Sequence, residues 1–254
     1  MENNLSFFNF NKFPGVRIAM SLRQDKNMKA YYDFGKNEEA LINREIFLEK
    51  LNLSGKNLVS VKSISGSNIQ IVTEADLGNF IEDTDGLITA RKNVYLSITI
   101  ADCLPVIIYD FKKEVIGLLH CGWKGIEKNI IGKALDKMKD SFDSAPQNII
   151  AGIGPGIGNC HFEVKEDLIE KFSTYPRVFR KEGGKSFMDI KLVAQKKLEE
   201  CGVPFGSINT SPDCTCCQPE KYFSFRKDKS QPLQAMMVIA GIKEMDQESI
   251  CASS

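Results

Sequence analysis

The 254-residue chain has no excess of charge: 33 Lys plus Arg balance 33 Asp plus Glu. A dedicated nucleic-acid binder carries a basic surplus, so DNA, RNA and anionic membranes are not expected as main partners. Long apolar runs are also missing. The most apolar stretch, residues 95–109, carries Asp102 and Pro105 in its middle and is too short to span a bilayer. Residues 1–12 have neither a basic n-region nor a useful apolar h-region, so no export signal is read and a cytoplasmic location is expected. No G-x-x-x-x-G-K-[ST] and no H-E-x-x-H occurs, so nothing supports a P-loop NTPase or a zincin. Histidine is scarce, with only His120 and His161, and Trp123 is the single tryptophan.

What is present is ordinary globular composition, 43% hydrophobic and 26% charged. A chain of this mass can bury roughly 70–75% of its surface and needs no disulfide to hold a core. The eight cysteines are many for a reducing compartment, where thiols serve metals or catalysis more than disulfides.

Periodicity predicts alternating strands and helices. An early strand covers 16–22. A helix starts after Asn37, an N-cap type of residue followed by Glu38 and Glu39, and runs to about Leu51. Segments 58–64 and 68–72 alternate around Gly66-Ser67 and predict a hairpin. Short apolar runs at 86–89, 94–100, 106–109 and 115–120 read as strands, with Pro105 interrupting the ladder. Apolar positions from Ile126 to Phe142 recur at helical spacing and predict one helix. A strand at 149–153 and helices at 164–172 and 190–201 come next, and 235–242 is strand or helix. The expectation is a single α/β domain, a mixed β-sheet packed with helices, spanning 15–242 between an N-terminal extension (1–14) and a C-terminal tail (243–254).

Four clusters carry candidate chemistry. Asp102-Cys103 sits inside an apolar run, where a buried carboxylate needs partners. His120-Cys121-Gly122-Trp123-Lys124-Gly125 joins a strand to a helix. Its glycines permit a sharp turn and a close ligand, and its helix N-terminus suits an anion. The run Gly152 to Glu163 is glycine-rich but fails G-x-G-x-x-G in either register, and reads as a loop carrying Cys160-His161. Beyond Asp213-Cys214-Thr215-Cys216-Cys217 there is no second Cys/His pair, so this is not a zinc-finger spacing and reads as a loop of reduced thiols.

Together the segments 99–105, 120–125, 154–158 with 160–164, Asn43-Arg44, 83–89 and 223–226 resemble the YfiH/YlmD family, whose older label is multicopper polyphenol oxidase or laccase-domain protein. The resemblance covers roughly 15–242. It implies a purine nucleoside enzyme: phosphorolysis of adenosine, inosine and methylthioadenosine, and deamination of adenosine. Its zinc is bound by two histidines and a cysteine. Cys103 and His120 match two of these. The other histidine belongs to a Gln-Val-His-Gly/Ser motif, and here the segment reads Ser63-Ile64-Ser65-Gly66, leaving Ser65 at the third-ligand position. The resemblance thus implies Cys103, His120 and Arg44 as catalytic residues and a loosely held zinc. Asp102, Cys160 and His161 are supporting candidates, and Arg44 or Lys124 would hold phosphate. Two alternatives stay open: a copper-dependent phenol oxidase, and a non-catalytic member of the family.

Overall fold

The computed structural model describes residues 10–244. In chain order its strands begin with β1 (Val16–Met20), β2 (Tyr31–Tyr32), β3 (Gly35–Lys36), β4 (Leu58–Val61) and β5 (Ile69–Ile71). Next come β6 (Phe80–Ile81), β7 (Gly86–Thr89), β8 (Tyr95–Ile100), β9 (Leu104–Asp110), β10 (Val115–Cys121) and β11 (Ile149–Ile153). The last are β12 (Glu163–Val164), β13 (Phe179–Glu182), β14 (Lys185–Met188), β15 (Ile208–Thr210) and β16 (Met236–Ile242). The helices are α1 (Glu38–Glu49), α2 (Trp123–Glu127), α3 (Ile130–Phe142), α4 (Glu166–Lys171), α5 (Ile190–Glu200) and α6 (Phe225–Asp228).

Two mixed sheets form the body, one of order β1-β16-β8-β4-β6 and one of order β15-β11-β9-β10-β7-β5. Strand alternation assigns the layers. In β9, Leu104, Val106 and Ile108 face a core shared with α3 and α5, while Ile107 and Tyr109 face the other way. That opposite face meets Leu96, Ile98 and Ile100 of β8 and Val238 of β16, which form the core between the sheets. On its outer side the first sheet presents Met237 and Ile239 to Phe47 and Leu48 of α1. Helix, sheet, sheet and helices therefore stack in four layers. Strands covered on both faces give near-continuous apolar runs, which is why β8, β9, β10 and β11 are visible in the sequence.

Three local expectations are corrected. The 58–64 and 68–72 segments are not a hairpin. β4 pairs β8 and β6 in the first sheet, whereas β5 pairs β7 in the second, so residues 62–68 cross between layers, with Ser65 in the left-handed region at φ 56°. The long helix is broken at Asn129, also left-handed at φ 59°, a conformation that asparagine tolerates. Pro105 does not interrupt β9 and lies in register opposite His120.

Of the expected N-terminal extension, residues 1–9 lie outside the described residues, but Phe10 is buried in the inter-sheet core and Phe13 stacks on Phe111. In the expected tail, the Lys243 N–H donates to Gly15 O; residues 245–254 lie outside the described residues. Among the described residues no helix is long and apolar enough to cross a membrane.

Gly125 of α2 shows how tightly the crossover is held. A Cβ there would lie 2.7 Å from Gly66 O, a backbone atom that cannot swing aside. Gly125→Ala is expected to destabilise the protein by about 1–3 kcal/mol through overpacking, read as a lowered urea midpoint with unchanged slope.

Candidate functional site

The two sheets end together on one side of the molecule. The β8–β9 connection supplies Asp102 and Cys103, the end of β10 supplies His120, and the residue before β7 is Asp85. The interlayer crossover adds Ser63 and Ser65. These segments border a cleft of about 490 Å³ lined by Cys103, His120, Ser63, Ser65 and Lys124. Cys103 and His120, 17 positions apart in number, both line this cleft. Gly122 leaves room for the sulfur, since a Cβ at that position would crowd Cys103 Sγ at 3.0 Å. Thus the glycines at 122 and 125 serve close chain packing. Neither has a positive φ, so the sharp turn expected of them is not their role.

Asp85 is the organiser that sequence reasoning passed over. Its carboxylate Oδ1 lies 3.1 Å from His120 Nδ1 and accepts from Ser63 Oγ and from the Ser65 N–H at 3.0 Å. Its Oδ2 accepts from the Gly66 N–H at 2.7 Å. Ser63 Oγ is also 2.8 Å from His120 Nδ1. Burial alone would raise the Asp85 pKa, but hydrogen bonds from His120, Ser63 and Gly66 outweigh it and hold the carboxyl below its ordinary range. Burial would likewise discharge His120, yet Cys103 and Asp85 push its pKa up to about 10. A carboxylate on one nitrogen thus fixes the ring and favours its protonated form. The one available signal was the Asp83-Thr84-Asp85-Gly86 segment, which announces an acid before a buried strand but not what that acid holds.

Arg44 lies on the inward face of α1 and is 5% exposed. Its guanidinium donates to Ser60 Oγ at 2.6 Å, Ser97 Oγ at 3.2 Å and Met28 O at 3.4 Å, and it stacks over Phe80. Burial lowers its pKa to about 10, so it remains charged, and no carboxylate pairs with it among the described residues. It does not line the His120 cleft. It lines an adjoining cavity, also about 490 Å³, and the two cavities share Lys29, Ser63 and Thr99 as lining residues. The Lys29 pKa is lowered by burial, partly opposed by Asp33.

Other candidates divide. Lys124 is exposed at the cleft mouth, 5.6 Å over the Trp123 ring; α2 has only five residues. Asp102, left-handed at φ 84°, is a tie between loops: Oδ1 accepts from Thr215 Oγ1 at 2.6 Å and Oδ2 from the Arg226 N–H at 2.7 Å. Cys160 and His161 do not border the cleft. They gather with Cys214 and Cys217 in a group able to hold a metal ion. Phe162, Phe225 and Arg226, none singled out as site residues from sequence, line the cleft beside Trp123.

A metal at the cleft needs more than these residues offer. Catalytic zinc takes three protein ligands, and here Cys103 and His120 stand with a serine hydroxyl. Blue-copper sites take His₂Cys, and His120 and His161 belong to separate groups. Neither donor set is complete at the cleft.

Residues 26–241 match the family described as multi-copper polyphenol oxidoreductase laccase. A protein of Aquifex aeolicus named purine nucleoside phosphorylase is 32% identical over 217 residues, covering 82% of this chain and 97% of the relative. Purine nucleoside phosphorylase YlmD of Bacillus subtilis is 28% identical over 221 residues, covering 82% and 79%. The crystal structure of YlmD from Geobacillus stearothermophilus superposes with a TM-score of 0.85 at 26% identity, covering 91% of this chain and 93% of that one. With most of its length matched and this fold shared, the chain belongs to the multi-copper polyphenol oxidoreductase laccase family, the family of YlmD.

Proposed function

We propose that this protein is a purine nucleoside phosphorylase acting on adenosine, inosine and methylthioadenosine. The observation that carries the proposal is the pairing of two cavities: one lined by the buried Arg44, with Lys29 and Lys62 alongside Asp33, Glu82 and Asp83, and beside it a cleft in which a carboxylate fixes His120. Relatives named purine nucleoside phosphorylase support the same activity.

Phosphorolysis joins a phosphate oxygen to the anomeric carbon while the C–N bond to the purine breaks and its electron pair leaves with the base. Arg44 and Lys29 hold the phosphate dianion, the guanidinium through directed N–H contacts. The purine lies among the aromatic walls Trp123, Phe162 and Phe225, where stacking costs little specificity. His120 gives a proton to the departing base, and the Asp85 carboxylate keeps the ring oriented and stabilises its charged form. Every group in this scheme belongs to the chain. Deamination of adenosine, which the zinc of the resemblance would serve by activating water, has an incomplete donor set here and no step is assigned to it.

The direct test is incubation of each nucleoside with and without phosphate, scoring free base and sugar phosphate. Phosphate-dependent base release is expected; its absence, with oxygen uptake on a phenol, would establish the oxidase alternative. Asp85→Asn is expected to lower kcat about 10²-fold or more, the usual worth of positioned acid–base catalysis, with the far-UV spectrum retained. Arg44→Lys loses a charge-assisted contact of about 1.5–3 kcal/mol, raising the phosphate KM about 10- to 100-fold while the nucleoside KM stays near its parent value. An unchanged phosphate KM in a folded variant would remove Arg44 from the site.

Ser65 offers a second handle. Its left-handed backbone is one that histidine accepts more readily than most residues. Ser65→His is expected to complete a three-ligand shell with Cys103 and His120 and to raise the zinc retained after dialysis, measured by elemental analysis. If bound zinc is the same in parent and variant, residue 65 does not reach the position of a third ligand.

A further inference from the structure

Outside the cleft, four chemistry-bearing side chains meet that the proposed phosphorolysis does not use. Cys160 and His161 lie on the glycine loop after β11, and Cys214 and Cys217 lie on the loop after β15. One ligand atom from each comes within 4.8 Å of the others. Cys160 Sγ is 3.4 Å from Cys217 Sγ. His161 Nδ1 is 3.3 Å from Cys160 Sγ, 3.4 Å from Cys217 Sγ and 3.9 Å from Cys214 Sγ.

These spacings have a simple counterpart. With Zn–S bonds of about 2.3 Å and Zn–N bonds of about 2.0–2.1 Å, a tetrahedral shell has edges of about 3.8 Å between sulfurs and about 3.6 Å between sulfur and nitrogen. A disulfide would need its sulfurs at about 2.05 Å, and all seven described cysteines are free. The donor types agree as well, because three thiolates and an imidazole are a structural zinc set. We infer that Cys160, His161, Cys214 and Cys217 bind one zinc ion as a tetrahedral Cys₃His site, separate from the nucleoside cleft.

The surroundings fit an anionic cluster. Zinc with three thiolates and a neutral imidazole carries a net charge of minus one. Lys191, 7% exposed, is buried beside the cluster with its ammonium on the carbonyls of Ser211 and Asp213, where Cys214, Asp189, Asp213 and Cys160 all act on it electrostatically. The Gly158 N–H donates to Cys214 Sγ at 3.2 Å, a contact that steadies a ligating thiolate. The loops are already aligned by the bridge between Gly156 and Cys214. A Cβ on Gly158 would meet Cys214 Cβ at 3.1 Å and Cys160 Sγ at 3.2 Å, so a side chain here would crowd the two pairs.

The site has a structural consequence. Thr215, between the ligands of one loop, holds Asp102, the neighbour of Cys103. Arg226 of the cleft wall donates to the carbonyls of His161 and Glu163. The ion therefore pins the loops that carry one wall of the cleft. The Cys214-x-x-Cys217 pair does have its partners, but they precede it: His161 is 53 positions upstream of Cys214. The thiols of this loop are free, as expected, and the structure places two of them beside Cys160 and His161.

The test is metal content, read without reference to turnover. The full chain, produced in zinc-supplemented medium under reducing conditions, is expected to hold about one zinc after desalting. Cys103→Ser should retain it, and the double variant Cys160→Ser with Cys217→Ser should fall to less than about a tenth of the parent. Both replaced thiols are exposed, so their loss leaves the core packing in place. A second measurement uses the unmodified protein: titration with a mercurial thiol reagent should release zinc only as these thiols are blocked, and cobalt(II) loading should give sulfur-to-metal charge-transfer absorption. Zinc kept by the double variant but lost from Cys103→Ser would overturn the assignment. So would a zinc-free protein whose Cys160 and Cys217 react freely or are joined as a disulfide.

Discussion

The Asp85 carboxylate is the contact on which the cleft depends. It sits at the start of a strand of one sheet, fully buried, and accepts from the crossover that arrives from the other sheet: Ser63 Oγ and the N–H groups of Ser65 and Gly66. The same carboxylate faces His120. A buried charge costs several kcal/mol unless it is well satisfied, and here the satisfaction comes from the groups that must be held still. Orientation of the acid and attachment of the crossover are thus one event. Removing the carboxylate would loosen the segment from 63 to 66 and the ring together.

The strands of the inner layers could be read in the sequence because burial on both faces writes a local signature. β8, β9, β10 and β11 each stood out as short apolar runs, and Asn37 marked the start of α1, where its side chain caps the Ala40 N–H. What could not be read was connectivity across layers. The alternation of 58–64 and 68–72 is the same whether the strands pair with each other or pass into different sheets, since period-two patterning reports burial and not partner. Asn129 broke the long helix where the apolar pattern ran on unbroken.

The site was legible to the same degree. Cys103 and His120 could be nominated from their place at strand ends, and the structure brings them together. Arg44 could be named but not oriented, because α1 also leaves Ile42 and Ile46 exposed and its apolar pattern points in no single direction. Asp85 stood inside the 83–89 motif without a role. The 213–217 loop has no Cys/His pair downstream of it, and the residues that two of its thiols meet in space, Cys160 and His161, lie far upstream. Contacts over such separations leave no local trace.

The stacking of layers also divides labour. Arg44 belongs to the outer helix and first sheet, whereas Asp85 and His120 belong to the second sheet. The cation and the acid are thus mounted on opposite leaves, joined by the apolar filling of Leu96, Ile98, Ile107 and Leu118. That filling acts as a spacer. Its thickness sets the separation between Arg44 and His120, so a methyl group added or removed deep in the sandwich changes the distance between the two leaves at the cavities.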